Sequence, residues 1–274
     1  MIGRHNETRA TAILLAGRRD GATDPLALAH GVSHKCLVPV VGQPMLLHVI
    51  DALVANRRIG TVRVVIEDPN LLATIPALRG LLHNGRLVGV AAQPNLVDSV
   101  LAGAEGAAFP LLITTADNVM LTPDAIDEML DGCATQGADA AVAFTRRASV
   151  LAAHPEGQRK FYTFADDGYS NCNTYWLCDR KALKAAETFR SGGQFVKHPG
   201  RIIGAFGLIN LIRFRFGIGT LDQAFARFSR RFRMTISPVI LTDGAVAIDV
   251  DNARSHGVAS TLLDQRMSLA QAAE

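Results

Sequence analysis

The chain has 274 residues, of which 49% are hydrophobic, and this is enough to bury one large core or two small ones. Only 6% are aromatic, while glycine, alanine, valine and leucine are abundant, a composition that favours an α/β fold over an all-β fold. The formal net charge of +3 is too small to indicate a nucleic-acid partner.

The first half of the chain alternates apolar runs typical of buried strands with segments of helical periodicity. Helix start signals support this reading, because Pro44 stands in the first turn of one segment and Thr122 precedes Pro123 at another. Such alternation predicts a mostly parallel sheet covered on both faces. The predicted strands are 12–16, 62–66, 87–91, 111–115 and 139–144, and the predicted helices are 44–56, 98–107 and 123–136.

The pattern changes after about residue 145. Residues 161–178 predict two strands joined by a turn at 166–168. No repeat or low-complexity linker separates the two parts, so the sequence predicts a single domain over 1–274. The remaining predicted elements are a helix at about 180–190, an amphipathic segment at 220–231, a last strand near 245–250 and a helix after it.

The turn after the first strand is a candidate polyanion site. The strand ends at Leu15 and Ala16, and Gly17, Arg18 and Arg19 follow at once. Open α/β sheets bind ligands at the carboxyl ends of their strands, and guanidinium groups donate paired hydrogen bonds to phosphate oxygens. The alternative is a surface loop that happens to contain arginine.

Lys35 is the second candidate. It stands directly before the apolar run 36–41, and a turn at 42–44 then begins a helix. A lone lysine is usually a solvated side chain. This one lies between the arginine-containing turn and a buried segment, so the sequence predicts that its ammonium reaches the same cleft.

Carboxylates follow two further strand ends. Asp117 comes just past a buried strand, and Asp249 and Asp251 alternate along the predicted strand at 245–250, which would place them on one face. Because Mg²⁺ is often held by one or two carboxylates plus substrate phosphates, these three are candidate metal ligands. Helix capping is the alternative for Asp117 and Asp251.

Cations for a polyphosphate and carboxylates for Mg²⁺ are the equipment of phosphoryl or nucleotidyl transfer. The order of the motifs resembles the nucleotidyltransferases of glycosyltransferase-A-like fold, which include the MobA-like and sugar-phosphate nucleotidyltransferases. The resemblance rests on LLAGRRDG at 14–21 and HKCLVPVVGQPMLLHVIDAL at 34–53. It covers about 10–145 and returns at 247–262.

The resemblance implies an α/β, three-layer sandwich with a mostly parallel, Rossmann-like mixed sheet. The single NTP-transferase domain would have a nucleotide-binding half at about 10–145 and an acceptor-binding half at about 146–274. It also implies roles for the first loops. Leu15, Ala16 and Gly17 would line the nucleotide through their backbone, and Arg18, Arg19 and Lys35 would hold the triphosphate and act as catalytic residues.

Further implied roles fall on later motifs. Ser99, in DSVLAGA, would contact the base and ribose, and Asn173, in YSNCNTYWL, would contact the acceptor. Asp117 and Asp251 would hold Mg²⁺ at the nucleotide, with Asp249 as a further ligand.

The implied reaction transfers NMP from an NTP to a phosphorylated small-molecule acceptor and releases pyrophosphate. The preference for CTP as the nucleotide rests only on the segment DSVLAGA at 98–104. A glycosyltransferase using a nucleotide sugar is one alternative, although Asp117-Asn118-Val119 lacks the Asp-x-Asp pattern of that class. A non-catalytic nucleotide sensor of the same fold is another, left open by the Gly17–Gly21 turn.

Residues 197–233 are basic, with eight lysines or arginines and one acid. The stretch 201–216 is more apolar than a surface helix. Three interpretations are open: a buried helix whose arginines reach solvent, a lid over the acceptor, or a surface for anionic lipid.

Location is predicted from what the chain lacks. The four cysteines form no CxxC pair, residues 1–10 have no apolar secretory core, and no apolar run is long enough to span a membrane. The sequence therefore predicts a cytoplasmic protein with reduced thiols.

Overall fold

The computed structural model describes residues 9–18, 24–183 and 218–273. Arg19 lies outside these ranges, as do residues 184–190 of one predicted helix and all of 201–216. The hypotheses that concern those positions therefore remain sequence predictions.

Strands in the described ranges form one large sheet and one small ladder. The five strands predicted in the first half are all confirmed, with ends that differ by a few residues. In chain order the strands are β1 (Ala10–Leu15), β2 (Pro39–Val40), β3 (Gln43–Pro44), β4 (Ile59–Ile66), β5 (Leu87–Ala91), β6 (Leu111–Thr115), β7 (Ala140–Arg146), β8 (Tyr162–Thr163), β9 (Gly168–Leu177) and β10 (Ile236–Ile240).

The large sheet has eight strands in the order β10-β7-β9-β6-β1-β4-β5, with β8 paired to β9. Neighbours along this path are parallel, except that β9 runs antiparallel to β6 and β7. The predicted mostly parallel, mixed sheet is therefore confirmed. Because β9 runs in the opposite direction, its amino-terminal part lies at the edge where the parallel strands end.

Helices cover both faces of this sheet. Alternate residues of β1 point to opposite faces of the sheet. Leu14 belongs to the larger core together with the helices Met45–Ala55 and Pro123–Gln136, whereas Ile13 packs on the other face with Val100 of the helix Leu96–Ala104. The α-helices are α1 (Pro25–Ala29), α2 (Met45–Ala55), α3 (Leu71–Thr74), α4 (Arg79–His83), α5 (Leu96–Ala104), α6 (Pro123–Gln136), α7 (Arg147–Ala153), α8 (Leu221–Phe232) and α9 (Ala253–Ala273).

Local capping explains where two predicted helices begin. The side chain of Thr122 accepts a hydrogen bond from the Ala125 N–H at 3.1 Å, and Pro123 follows it, so α6 starts where the sequence predicts. The start of α5 differs from the prediction, because Asn95 and not Asp98 is the cap. Its side-chain oxygen accepts from the Asp98 N–H at 2.9 Å.

The strand predicted near 245–250 is wrong. Residues Gly244–Ala247 form a 3₁₀ helix, which the Asp243 side chain caps by accepting from the Ala245 N–H at 2.8 Å. Gly244 packs directly on the backbone of Ser149 at the start of α7, with no room for a Cβ atom. The edge strand is instead β10, and its register with β7 runs from Ile236 to Ile240.

The described part of the basic stretch is α8, and its apolar face is covered. Leu221, Ala224 and Phe225 are buried in a cluster with Phe144 and Tyr169 of the sheet. This face packs inside the protein. No helix within the described residues is long and apolar enough to cross a membrane.

Candidate active site

The carboxyl ends of the central strands meet at one edge of the sheet. The Ala16 N–H donates to the Val65 carbonyl at 2.9 Å, and the Ala116 N–H donates to the Leu15 carbonyl at 3.0 Å. The loops that follow β1 and β6 therefore begin directly beside the ends of β4 and β1. This is the place where open α/β sheets bind their ligands.

A lysine and two carboxylates converge at this edge. The Lys35 Nζ lies 2.7 Å from Asp117 Oδ2 and 2.7 Å from Asp251 Oδ1. The side chains of Lys35 and Asp117 are 22% and 12% exposed, whereas that of Asp251 is 59% exposed. Three predicted site residues from distant parts of the chain thus form one cluster, hereafter the Lys35 cluster.

Backbone and hydroxyl contacts hold the carboxylates of the Lys35 cluster in place. The Thr115 Oγ1 donates to Asp117 Oδ1 at 2.5 Å. The Val250 N–H donates to the Asp117 carbonyl at 3.1 Å, which joins the loop after β6 to the segment before α9. The Asp251 N–H donates to Ser255 Oγ at 2.9 Å, so Asp251 also sits at the start of α9.

The electrostatics keep Lys35 charged. Burial by itself lowers the pKa of this lysine, but the Asp117 and Asp251 carboxylates more than offset that effect, and the pKa is raised above its ordinary value. The group is therefore an ammonium at neutral pH, where it can neutralise carboxylates or phosphates.

Asp249 and Asp251 do not alternate along a strand, because the Asp251 N–H donates to the Asp249 carbonyl at 3.1 Å and the chain turns between them. Asp249 instead accepts from the Asn173 Nδ2 at 2.7 Å, and its other oxygen, Oδ1, is buried with no partner among the described residues. Burial raises the pKa of Asp249 well above its usual range, and the Asp117 and Asp251 charges add to the effect.

Asn173 stands at an irregularity of β9. Its φ of 47° is left-handed, a conformation that asparagine tolerates better than most residues. The Asn171 side chain accepts its N–H at 2.8 Å, and the register of β9 with β7 shifts at this point. Asn173 is thus held at the same edge as the Lys35 cluster, through Asp249.

The first loop brings Gly17 and Arg18 beside β4 and β5. A Cβ atom on Gly17 would lie 3.1 Å from the Ala92 Cβ and 3.2 Å from Glu67 Oε1, so glycine allows this close approach. The Arg18 N–H donates to Glu67 Oε1, and its Nη2 donates to the Ser33 carbonyl at 2.8 Å. The loop is thereby joined to the segment that carries Lys35.

Ser99 is buried on α5 and bonds to the loop before that helix. Its Oγ accepts from the Gln93 N–H at 2.9 Å and donates to the Gln93 carbonyl at 3.2 Å. In this arrangement the hydroxyl shapes the loop that follows β5. A contact from Ser99 to a nucleotide remains a prediction from the family resemblance.

Sequence reasoning missed two residues at this edge. Glu67 follows β4 directly and lies 3.4 Å from the His34 Nε2, so the signal used for Asp117, an acid just past a strand, also marks it. Asn118 is fully buried, and its Nδ2 donates to the Cys172 carbonyl at 2.9 Å. No sequence pattern marks Asn118, because its partner lies on another strand.

The donor set at this edge fits a divalent cation. Lys35 already places one positive charge against the Asp117 and Asp251 oxygens, and Asp249 has an unpartnered buried oxygen nearby. In the described ranges no three His, Cys, Asp or Glu side chains group as a metal cluster. A carboxylate pair without a third ligand suits Mg²⁺, which commonly takes its other ligands from water and phosphates.

Solved structures of transferases share this fold. A hypothetical transferase from Thermus thermophilus is 24% identical with a TM-score of 0.74, and the match covers 90% of this chain and 99% of that one. A CMP:2-keto-3-deoxy-manno-octonic acid synthetase complexed with CTP is 14% identical with a TM-score of 0.56, covering 94% and 99%. The 4-diphosphocytidyl-2C-methyl-D-erythritol synthase from Anaerococcus prevotii is 11% identical with a TM-score of 0.58, covering 94% and 100%.

No curated protein matches the chain at a significant level. The model of the MobA-like NTP transferase domain matches residues 13–193, a range that begins in β1 and includes Lys35, Asp117 and Asn173. This range is well over half of the sequence. The chain therefore belongs to the MobA-like NTP transferase domain family and is a nucleotidyltransferase.

Proposed function

We propose that the protein transfers NMP from an NTP to a phosphorylated small-molecule acceptor, releases pyrophosphate and depends on Mg²⁺. The observation that carries this proposal is the Lys35 cluster, in which the Lys35 ammonium lies 2.7 Å from both the Asp117 and Asp251 carboxylates beside the loop after β1. A cation and a carboxylate pair beside backbone N–H groups suit a metal-bound triphosphate.

The residues of this edge would act by binding and charge stabilisation. Gly17, with no side chain, lets the loop lie close to Ala92 and Glu67, and Arg18 and Lys35 supply positive charge. Arg19 has the same predicted role. The acceptor phosphate oxygen attacks the α-phosphorus in line, one P–O bond forms, and the bond to the pyrophosphate oxygen breaks. The acceptor is already an anion, so no general base is required.

Asp117 and Asp251 would hold the Mg²⁺, with Asp249 as a further predicted ligand. When bound, the ion supplies neutralisation of the phosphate charge and fixes the triphosphate for attack. Thr115 orients the Asp117 carboxylate, and Ser255 holds the backbone of Asp251, which supports the pair in that role.

CTP is our preferred nucleotide. The names of two proteins of the same fold refer to cytidine products, and one of these proteins is complexed with CTP. Asn173 is proposed to contact the acceptor, because it lies on β9 at the edge of the sheet where the Lys35 cluster lies. Three points remain predictions from the sequence: the single domain with nucleotide-binding and acceptor-binding halves, the cytoplasmic location, and the lipid contact at 197–233.

A nucleotide-sugar glycosyltransferase is less well supported. Enzymes of that class generally carry Asp-x-Asp at the central metal site, whereas here Asp117 is followed by Asn118 and Val119, both of which are buried. The side chain of Asn118 bonds to β9 and does not extend the carboxylate pair.

The first experiment is thermal unfolding of the purified protein with CTP, GTP, UTP or ATP, each with and without Mg²⁺. A ligand that binds only the folded state raises the melting temperature through a free energy of RT ln(1 + [L]/Kd). We expect a shift that requires Mg²⁺ and is largest with CTP. Pyrophosphate release with a panel of sugar and polyol phosphates would then identify the acceptor. The proposal fails if no nucleotide shifts the transition and no pyrophosphate is released.

A further inference from the structure

The Lys35 ammonium lies where a divalent cation would have to bind. It contacts carboxylates 82 and 216 residues away in the sequence, and both contacts are 2.7 Å long. The Asp117 and Asp251 oxygens therefore face a common point, and they cannot be further apart than twice that distance. A cation supplied by the chain itself already occupies this position.

We propose that Lys35 is an internal placeholder for the metal ion. Without metal its ammonium neutralises Asp117 and Asp251, and when the metal enters, the ammonium leaves for the phosphates of the nucleotide. The inference rests on the proposed function and deepens it, because it makes the binding of metal and of nucleotide interdependent.

Charge requires such an exchange. Mg²⁺ binds carboxylate oxygens at about 2.0–2.1 Å, and an ammonium kept on the same two oxygens would place a third positive charge beside the ion. Conversely, without the ammonium or a metal the Asp117 carboxylate, which is only 12% exposed, would be left without the cation that faces it. The site is therefore stable with the ammonium or with the metal, and unfavourable with both or with neither.

The exchange needs only a side-chain movement. The backbone around Lys35 is fixed, because the Leu37 N–H donates to the His34 carbonyl at 3.0 Å, the Val38 N–H donates to the Lys35 carbonyl at 3.0 Å, and Cys36 is buried. A lysine has a flexible four-carbon stem. Its destination is near, since Arg18 in the proposed phosphate loop is hydrogen-bonded to Ser33, two residues before Lys35.

This arrangement predicts cooperative binding. Metal alone must displace the ammonium, which then has no new partner, so its affinity is reduced. Nucleotide alone finds Lys35 engaged with the carboxylates. When both are present, the metal releases the lysine and the phosphates receive it, so each ligand increases the affinity for the other by the same factor.

The test uses Mn²⁺ as the probe, with free Mn²⁺ measured by electron paramagnetic resonance in the absence of nucleotide. Lys35→Met removes the ammonium and keeps the length of the side chain, and we expect it to bind Mn²⁺ at least 10-fold more tightly than the natural protein. Lys160→Met removes the same charge from an exposed lysine outside the Lys35 cluster and should leave the affinity unchanged. Mn²⁺ binding by Lys35→Met that is no tighter than that of the natural protein overturns the inference.

A second measurement covers the possibility that Lys35→Met does not fold. The chain has five lysines, so ¹⁵N resonances of their ammonium groups are few enough to follow in the natural protein, with Lys35→Arg for assignment. Saturating Mg²⁺ should move the Lys35 resonance and leave that of Lys160 in place. A Lys35 resonance that does not respond to bound Mg²⁺ also overturns the inference.

The same samples separate this inference from the proposed function. We expect CTP to tighten Mn²⁺ binding by roughly 5–150-fold in the natural protein, and this coupling should be smaller in Lys35→Met, where only direct contact between the ion and the phosphates remains. If no nucleotide binds to any variant, the proposed function fails. The effect of Lys35→Met on Mn²⁺ binding without nucleotide then still decides whether Lys35 occupies the metal position. If nucleotide and Mn²⁺ bind together but Lys35→Met leaves the coupling intact, only the placeholder role is wrong.

Discussion

The two sides of the candidate site are built in different ways. On the side proposed for the nucleotide, hereafter the nucleotide side, β1, β4 and β6 are parallel, and charged residues stand just past their ends, such as Arg18, Glu67 and Asp117. On the side proposed for the acceptor, hereafter the acceptor side, β9 is antiparallel and Asn173 has a left-handed conformation. The fully buried Asn118, from the loop after β6, donates to the Cys172 carbonyl of β9. The first side is a set of charges on a regular scaffold, whereas the second is an irregular backbone held by hydrogen bonds.

This difference indicates a division of labour. Charged groups at strand ends are suited to bind and neutralise a ligand, and those exposed to solvent contribute little to the stability of the fold. Buried amides fix the backbone, and each one that loses its partner costs stability. Substitutions on the nucleotide side should therefore change ligand binding, and substitutions on the acceptor side should change the free energy of unfolding.

The largest expected effect is on the nucleotide side. Asp117→Asn keeps the shape of the side chain and removes the charge that faces Lys35. We expect the Mg²⁺-dependent part of the nucleotide affinity to fall by about 100-fold or more, because even outer partners of metal ligands contribute 10–100-fold. Isothermal titration with CTP and Mg²⁺ measures it. The control is Asp264→Asn, which changes an exposed carboxylate of α9. An equal loss of nucleotide affinity in Asp117→Asn and Asp264→Asn would contradict the assignment of ligand binding to the nucleotide side.

The second effect is on the acceptor side. Asn118→Ala removes the donor to the Cys172 carbonyl from a fully buried position between β6 and β9. We expect the free energy of unfolding to fall by about 2 kcal/mol, the usual consequence of leaving a buried polar group unpaired. Urea unfolding gives this value, and Asn70→Ala at an exposed position should change it by less than about 0.5 kcal/mol. A stability unchanged by Asn118→Ala would show that the acceptor side does not depend on its amides.

The smallest effect concerns pH and again lies on the nucleotide side. Burial, with help from the Arg18 charge, lowers the pKa of His34 below its ordinary value of 6.5. The unfolded state therefore binds more protons than the folded state, and stability falls as the pH drops through about 6.5 towards the lower folded pKa. The loss is at most about 1.4 kcal/mol per pH unit.

Two variants isolate this contribution in urea unfolding between pH 8 and pH 5. His34→Gln should flatten the decline in stability, whereas His83→Gln, at an exposed position of α4, should leave it as it is. A decline that is unchanged in His34→Gln would place the proton uptake elsewhere and would remove His34 from the electrostatics of the nucleotide side.

The nucleotide side was predictable because it follows a simple rule. A buried strand that ends in glycine, arginine or aspartate identifies its own candidate residues, and parallel strands bring such residues together. This reasoning found Arg18, Lys35 and Asp117, and the same rule applied to Glu67 would have found it too. The expectation that Asp249 and Asp251 share one strand face was wrong, because the segment is a 3₁₀ helix followed by a turn. Asp251 nevertheless joins Lys35 and Asp117 at the site.

The acceptor side was less predictable, since its geometry comes from contacts between distant segments. The hairpin of β8 and β9 was visible in the sequence, but the position of β9 between β6 and β7 was not. That position brings Asn173 within 2.7 Å of Asp249, 76 residues further along the chain, and lets Asn118 reach the Cys172 carbonyl. Local periodicity carries no information about such pairings.

The sequence by itself determined the fold class, the strands of the nucleotide side and the convergence of Lys35 with acidic residues, because side-chain periodicity and strand-end chemistry are local properties of the chain. Only the tertiary structure decided which carboxylates Lys35 contacts and that Asp249 accepts a hydrogen bond from Asn173. These facts depend on strand order and on the 3₁₀ helix that packs against α7, so they follow from how distant segments share one buried interior.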